Sequence, residues 1–415
     1  MKYLTVSLYH PRVLKGGAQY VAKDLHDAAV KDTACDPAML AAIDGNVFPH
    51  YAKVGSAITG LPDSPTEFLL PGQRFDDFHH LIYDARRNKA VARFLADHRP
   101  DVIHVHHSLW VGLEFLSLAR KVLPEVKILY TLHEYLPICH ARGQLFREAE
   151  RGICRDTSPD QCVGCFPNRT VDEFILRRRG FRAAFELVDH FVAPSDYLRQ
   201  RFVDWGIAPE RISTIANGHT RQRPDVWTPT HSPGLNIFGF FGQFVDAKGI
   251  DVLLSAARQV AETGQAVDIR VFGGNKQYAS EAYVTKIDAI LEDAPEGLQV
   301  TEMGPYSRDN VFELMGTVDW VVMPSVWPET FGLVVSEAWD ARRPVLAAQA
   351  GGLGDRIRDG ENGFGFAPGS SAALSGLMQR CIGNNGLWQG LADKMQDEIT
   401  VDEAWSRHKA LVGSL

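Results

Sequence analysis

The stretch Pro324-Ser325-Val326-Trp327-Pro328-Glu329-Thr330-Phe331-Gly332-Leu333-Val334-Val335-Ser336-Glu337-Ala338 decides how this chain folds. The apolar run 320–324 that leads into it reads as a strand, 325–330 as a loop containing Pro328, and the residues from Phe331 or Gly332 onward as a helix. Glu329 then sits in a loop that follows a strand, whereas Glu337 lies on the helix. Between them the N–H groups of Gly332, Leu333 and Val334 occupy the first helical turn, where unpaired donors and the positive end of the dipole favour a phosphate. Taken alone, a helix cap at Glu329 and a surface ion pair at Glu337 are the other reading of the two acids.

Working outward, the same alternation fills the second half, with strands expected at 237–241, 269–272, 300–303, 320–324 and 345–348 and helical segments between them. In the first half, strands are expected at 4–9, 102–106, 128–132, 191–194 and 212–215. A segment with Pro224, Pro229 and Pro233 and little apolar periodicity separates the two. The reading is α/β: two Rossmann-like, doubly wound domains in tandem, at 1–222 and 236–396, joined by a linker at 223–235 and followed by a helix within 397–415 that returns to the first domain. Such sheets bind ligands beyond the carboxyl ends of their strands, so two of them face to face would line a cleft with strand-to-helix loops.

The bulk properties agree with two globular domains. The chain has 415 residues, 45% hydrophobic and 23% charged, enough to build sizeable cores. Residues 1–225 carry 29 Lys and Arg against 27 Asp and Glu, and residues 226–415 carry 14 against 24. A second half this acidic excludes a broadly basic nucleic-acid binder. The opening apolar run is broken by His10, Pro11 and Arg12, too early for a secretory signal, and there is no uninterrupted apolar run of roughly 18 residues. A cytoplasmic protein is expected, with at most a peripheral position at the inner face of a membrane.

After the first strand, Gly16-Gly17-Ala18 precedes a helical segment, and paired glycines there let a ligand approach N–H groups at a helix start. The spacing is not that of a dinucleotide fingerprint, and an ordinary tight turn explains it as well. Leu132-His133-Glu134 ends another strand of the first half. In the run His104-Val105-His106-His107, alternation puts only His104 and His106 on one face, which argues against a metal site.

Glu329 and Glu337 reproduce the Glu-x7-Glu spacing of retaining GT-B glycosyltransferases. Further stretches point the same way: Gly239-Phe240-Phe241-Gly242-Gln243-Phe244-Val245-Asp246-Ala247-Lys248-Gly249, Ile215-Ala216-Asn217-Gly218, Gly351-Gly352-Leu353-Gly354-Asp355 and Asp359-Gly360-Glu361-Asn362-Gly363. In order and spacing the chain resembles glycosyltransferase family 4 over nearly its whole length. The resemblance implies a GT-B fold and donor-side roles for particular residues: Glu329 on hydroxyls of the transferred sugar, Glu337 on the ribose, and Lys248 on the diphosphate. Gly17 and the N–H groups of Gly332, Leu333 and Val334 join them as donor-binding groups, and His133 would hydrogen-bond the sugar as a catalytic residue. Gln243 stands where many members have a phosphate-touching arginine, so one cation is missing, and Asp355 stands where a glutamate is expected.

Departure of a nucleotide diphosphate needs positive charge at the phosphate. No Asp-x-Asp motif of the metal-carrying kind is present, so catalysis is expected to need no cofactor, with Lys248 and the helix start at Gly332 supplying the field. A structural zinc is expected separately. The insertion 139–168 places Cys139, Cys154, Cys162 and Cys165 in one irregular segment that ends in a Cys-x2-Cys step, a ligand set for a tetrahedral ion. Two disulfides or free thiols are the other readings. Arg177-Arg178-Arg179 and Arg182 lie among Phe174, Phe181 and Phe185, which is either a cationic face for an anionic membrane or a solvated helix with one buried side.

The expected function is a retaining hexosyltransferase that moves sugar from a nucleotide-diphosphate donor to a glycan or lipid-linked acceptor, in surface polysaccharide or glycolipid assembly. A sugar-nucleotide epimerase or a phosphorylase on the same fold, and a non-catalytic sugar-nucleotide-binding subunit, remain as alternatives.

Overall fold

The computed structural model describes residues 1–51, 56–147, 150, 152–274 and 276–415. It divides into two compact units. The first comprises residues 1–143, 156–218 and 399–415, and the second 144–155 and 219–398.

In the first unit, one sheet takes the strands in the order Ile212–Thr214, His190–Ala193, Lys127–Thr131, Val102–Val105, Lys2–Leu8, Asp36–Asp44, Glu67–Gly72 and Thr59–Gly60. Every pairing is parallel except that of the last, edge strand. Helices cover the sheet, so its central strands are buried on both faces and read as continuous apolar runs rather than alternations. The strand order reverses between Lys2–Leu8 and Val102–Val105. Two loops leave the sheet there, one leading to the helix Gly17–Lys31 and one carrying His106, His107 and Ser108.

The terminal helix Val401–Ser414 belongs to this unit and opens with a capping box in which Thr400 and Glu403 satisfy each other's backbone donors. It packs on the helix Gly17–Lys31 through Asp32, which accepts from Trp405 Nε1 at 3.0 Å and Lys409 Nζ at 2.6 Å. Trp405 also meets Tyr3 edge to face at 4.9 Å. Gly218, the last residue before the chain enters the second unit, is required by contact with this helix, since a Cβ there would lie 2.5 Å from Val401 Cα.

The second unit has a six-stranded, all-parallel sheet in the order Leu298–Gly304, Val267–Phe272, Ile237–Phe241, Trp320–Met323, Val345–Ala348 and Gly363–Phe366. In chain order this is 3-2-1-4-5-6, the doubly wound arrangement, and its reversal falls between Ile237–Phe241 and Trp320–Met323. Trp320 and Trp388 fill the core completely buried, and their indole N–H groups are satisfied by the carbonyls of Leu235 at 3.0 Å and Asp319 at 2.8 Å.

Four strands of the two sheets depart from the sequence reading: Asp36–Asp44, Thr59–Gly60, Glu67–Gly72 and Gly363–Phe366 were not expected. The chain passes between units after Gly218 and after Glu398, not at 222 and 396. The insertion is also divided. Residues 144–155 group with the second unit, the flanking parts with the first, and 148, 149 and 151 lie outside the described residues.

Candidate active site

At the reversal point of the second sheet, two loops are brought together by backbone contacts. After Ile237–Phe241, a turn at Asp246–Lys248 leads through Gly249 into the helix Ile250–Glu262. Gly249 has φ +69°, and a Cβ on it would stand 2.0 Å from the Pro324 carbonyl oxygen. Only glycine allows that approach. The neighbouring Ala247 carbonyl accepts from the Val326 N–H at 2.9 Å. These contacts deliver Lys248 to the loop carrying Glu329, where Lys248 Nζ lies 2.6 Å from Glu329 Oε1.

Glu329 is 5% exposed. The same Oε1 also accepts from Ser325 Oγ at 2.7 Å and Trp327 Nε1 at 3.0 Å. Three donors on one oxygen leave Oε2 without a donor among the described residues, free to accept from hydroxyls of a ligand. The Glu329 backbone is tied to the glycine loop, its carbonyl accepting from the Gly352 N–H at 2.6 Å.

The helix that the sequence placed near Phe331 or Gly332 begins at Leu333 and runs to Asp340, with Gly332 at φ +83° as its N-cap. Among the described residues, the N–H groups of Gly332, Leu333 and Val334 have no hydrogen-bond partner. Arg356 holds this corner from behind. It donates to the carbonyls of Gly332 at 2.7 Å and Phe331 at 3.3 Å and to Ser336 Oγ at 2.8 Å, while pairing with Glu398 at 2.9 Å. On the helix itself, burial raises the Glu337 carboxyl above its ordinary range, opposed by the charges of His219 and Arg308. Gln243, by contrast, is exposed.

In the first unit Gly17 is the first residue of its helix. His133 follows the strand Lys127–Thr131 and its Nε2 lies 2.9 Å from His106 Nδ1. Burial lowers its pKa to about 3, so the ring is neutral near neutral pH. Glu134 accepts from the Leu136 N–H, and burial pushes its carboxyl up to about 8. The period-two reading of 104–106 holds, since the His104 and His106 ring centroids are 4.0 Å apart.

The arginine-rich helix, Val171–Phe185, does not present all its cations to solvent. Arg177 is buried and donates to the carbonyls of Pro137, at 2.9 Å, and Leu136. Arg178 donates to the Trp205 carbonyl at 3.3 Å. Arg179 and Arg182 are exposed, so the cationic face is smaller than the sequence run implied. No helix among the described residues is long and apolar enough to cross a membrane.

None of the four clustered cysteines is joined in a disulfide; Cys139, Cys162 and Cys165 belong to the first unit and Cys154 to the second. Among the described residues, the group of three potential metal ligands whose atoms all lie within 4.8 Å of one another is His26, Asp27 and Glu67, not a cysteine set. That group already holds a cation, since Lys23 Nζ is 2.5 Å from Asp27 and 3.6 Å from Glu67.

Sequence reasoning missed Ser325, Trp327, Arg356 and His106 as supporting residues. Three of these stood in stretches already singled out, but which atoms they reach depends on the fold.

Comparison with known proteins bears on both units. Residues 16–223 match the family Glycosyltransferase Family 4 and residues 225–398 match Glycosyl transferases group 1. Among similar curated proteins is D-inositol 3-phosphate glycosyltransferase of Rhodococcus opacus (strain B4), 30% identical over 289 residues, 66% of this chain and 58% of that protein. The protein of the same name from Rhodococcus erythropolis is 33% identical over 289 residues, 66% of this chain and 59% of that one. The chain therefore spans somewhat less than two thirds of the length of these relatives.

Two solved structures share the fold. The Anabaena protein HepE, crystallised with UDP and glucose, has a TM-score of 0.67 at 20% identity, with 100% of both chains covered. Sucrose-phosphate synthase from Thermosynechococcus elongatus has a TM-score of 0.69 at 16% identity, covering 100% of this chain and 99% of that one. With both units matched by family and the two doubly wound sheets in the GT-B pattern, the chain belongs to glycosyltransferase family 4.

Proposed function

We propose that this protein is a retaining hexosyltransferase that takes sugar from a nucleotide-diphosphate donor and passes it to a hydroxyl of a glycan or lipid-linked acceptor. The observation that carries the reading is the pairing of Lys248 with Glu329 at 2.6 Å, a few residues before three unpartnered N–H groups at a helix start. An ammonium group and a helix N-terminus are what a departing pyrophosphate needs, and a carboxylate with one oxygen open is what sugar hydroxyls need.

In the proposed reaction the acceptor oxygen forms a bond to the anomeric carbon on the face from which the diphosphate leaves. The leaving group keeps the electron pair of the broken C–O bond, and the acceptor's proton passes to a departing phosphate oxygen. Lys248 and the Gly332–Val334 backbone stabilise the growing phosphate charge without a divalent metal. His133, through its hydrogen bond to the sugar, holds the donor in position. HepE was crystallised with UDP and glucose, and the curated relatives are named for transfer to an inositol phosphate, which favours a nucleoside diphosphate donor and a polar acceptor. A place in surface polysaccharide or glycolipid assembly fits such an acceptor.

The test is a thermal-shift screen against UDP, GDP and ADP, followed by transfer assays with the matching sugar donors in the presence of EDTA. Acceptor-dependent release of nucleoside diphosphate, with the anomeric configuration kept, is expected. Interconversion of sugar nucleotides without acceptor would replace this reading with the epimerase, and binding without turnover would replace it with the non-catalytic subunit. The structural zinc is carried by the cysteine spacing alone; metal analysis of protein purified without chelator should find about one equivalent if the four thiolates hold it.

A further inference from the structure

A row of histidine rings runs through the interior of the first unit, and one of them meets His133. His106 is 1% exposed, its backbone fixed by the amide N–H donating to the Val6 carbonyl at 2.8 Å. Its Nδ1 lies 2.9 Å from His133 Nε2, with the ring planes 15° apart. Two neutral imidazoles in this contact share one proton, so one nitrogen donates and the other accepts.

What surrounds His106 decides which. Its other nitrogen, Nε2, is buried with no hydrogen-bond partner among the described residues. The adjacent His104 cannot supply an acceptor. Its Nδ1 is engaged with Tyr3 Oη at 2.7 Å and its Nε2 with Thr131 Oγ1 at 2.6 Å. His408, the next ring along, donates from Nδ1 to the Ala404 carbonyl at 2.8 Å, and its own Nε2 is likewise unpartnered. If His133 Nε2 carried the shared proton, His106 would have to carry its own proton on Nε2, a buried donor with no acceptor. The reverse arrangement leaves only a buried lone pair, the less costly defect.

We infer that His106 is a positioning residue, whose Nδ1–H donates to His133 Nε2 and fixes His133 as the Nδ1–H tautomer. Among the described residues His133 Nδ1 has no hydrogen-bond partner, so the fixed tautomer presents a donor, not a lone pair, to a ligand oxygen. The inference rests on the transferase reading only for what the donor is used for; the tautomer itself is independent of it.

The experiment is long-range 1H–15N correlation on histidine-labelled full-length protein at pH 7.5, with His133 assigned by its substitution. Nδ1 of His133 is expected to be protonated and Nε2 bare. In His106→Phe the ring should shift toward the Nε2–H form that free imidazole side chains prefer. In His106→Asn, whose amide N–H can take the place of Nδ1–H, the original pattern should return. Turnover of the best donor should fall about 10- to 100-fold in His106→Phe, as when a partner that orients a working histidine is lost. It should recover in His106→Asn, with donor KM changed less than kcat. An Nε2-protonated His133 in the unsubstituted protein, which requires no variant to fold, overturns the inference, as does a tautomer unmoved by His106→Phe. Full activity of His133→Ala would instead overturn the catalytic role of His133 and leave the tautomer assignment standing.

Discussion

Glu329 Oε1 collects Lys248, Ser325 and Trp327 at once, so the lysine charge is paired with a carboxylate. On the proposed reading a diphosphate would offer that ammonium group a stronger partner, and the two remaining donors would keep the carboxylate in place. Lys248→Ala should therefore weaken nucleoside diphosphate binding by about 10- to 100-fold, the worth of a hydrogen bond to a charged group. Because Ser325 and Trp327 still hold Glu329, stability should change little, and calorimetric titration with denaturant melts would separate the two effects. Gln243 allows the opposite test. It is exposed beside the same turn, so Gln243→Arg should tighten diphosphate binding by roughly three- to tenfold at low ionic strength, and the gain should shrink as salt is added. A gain that ignores salt would mean that the added side chain acts through packing and not charge.

At the scale of elements, the site depends on how closely the Asp246–Lys248 turn and the loop after Trp320–Met323 approach, and Gly249 sets that distance. Gly249→Ala meets two penalties, a positive φ and a Cβ 2.0 Å from the Pro324 carbonyl. Gly264 has φ +84° with nothing within 4 Å of a built Cβ, so Gly264→Ala meets the first alone. Gly264→Ala should cost about 1 kcal/mol and Gly249→Ala clearly more, roughly 2–4 kcal/mol, with a loss of diphosphate binding confined to the latter. Equal costs in denaturant melts would show that the close approach is soft. This contact also marks the limit of what the sequence carried. The strand-loop-helix order around Lys248 and Glu329 was legible from apolar runs and prolines, but the 81-residue separation of Lys248 and Glu329 is bridged only in the fold. The strand Asp36–Asp44 escaped because Ala38, Ala41 and Ala42 in a strand buried on nearly every residue give no alternation and read as helix formers. Gly363–Phe366 escaped because its glycines read as loop, whereas Gly363 is needed where a Cβ would lie 2.2 Å from the Val345 carbonyl oxygen.

For the molecule as a whole, the interior histidines set the response to acid. Burial lowers the pKa of His107 and His133 to about 3 and of His26 and His408 to about 4, and holds His104 and His106 well below the ordinary value of 6.5. All belong to the first unit. A folded-state pKa below the unfolded value means the unfolded chain binds more protons once the pH drops under 6.5, so the stability these groups confer is complete above 6.5 and is lost as pH falls toward 4. Each buried histidine contributes a slope of about 1.4 kcal/mol per pH unit in that window. Glu134, raised to about 8, opposes them: it binds a proton in the fold that the unfolded chain releases above about 4.5, so its contribution weakens as pH rises. Glu134 and Glu114, the latter also raised by burial, do not outweigh the more numerous buried imidazoles, and the net slope favours higher pH. The first unit should accordingly lose stability as pH falls below about 6.5, read by hydrogen exchange in the strand Val102–Val105. His408→Leu removes one titrating ring from the apolar interior and should flatten the dependence of urea stability on pH by about 1.4 kcal/mol per unit between 6 and 5. An unchanged slope in that variant would mean that His408 is already protonated in the folded protein, contrary to the burial of its unpartnered Nε2.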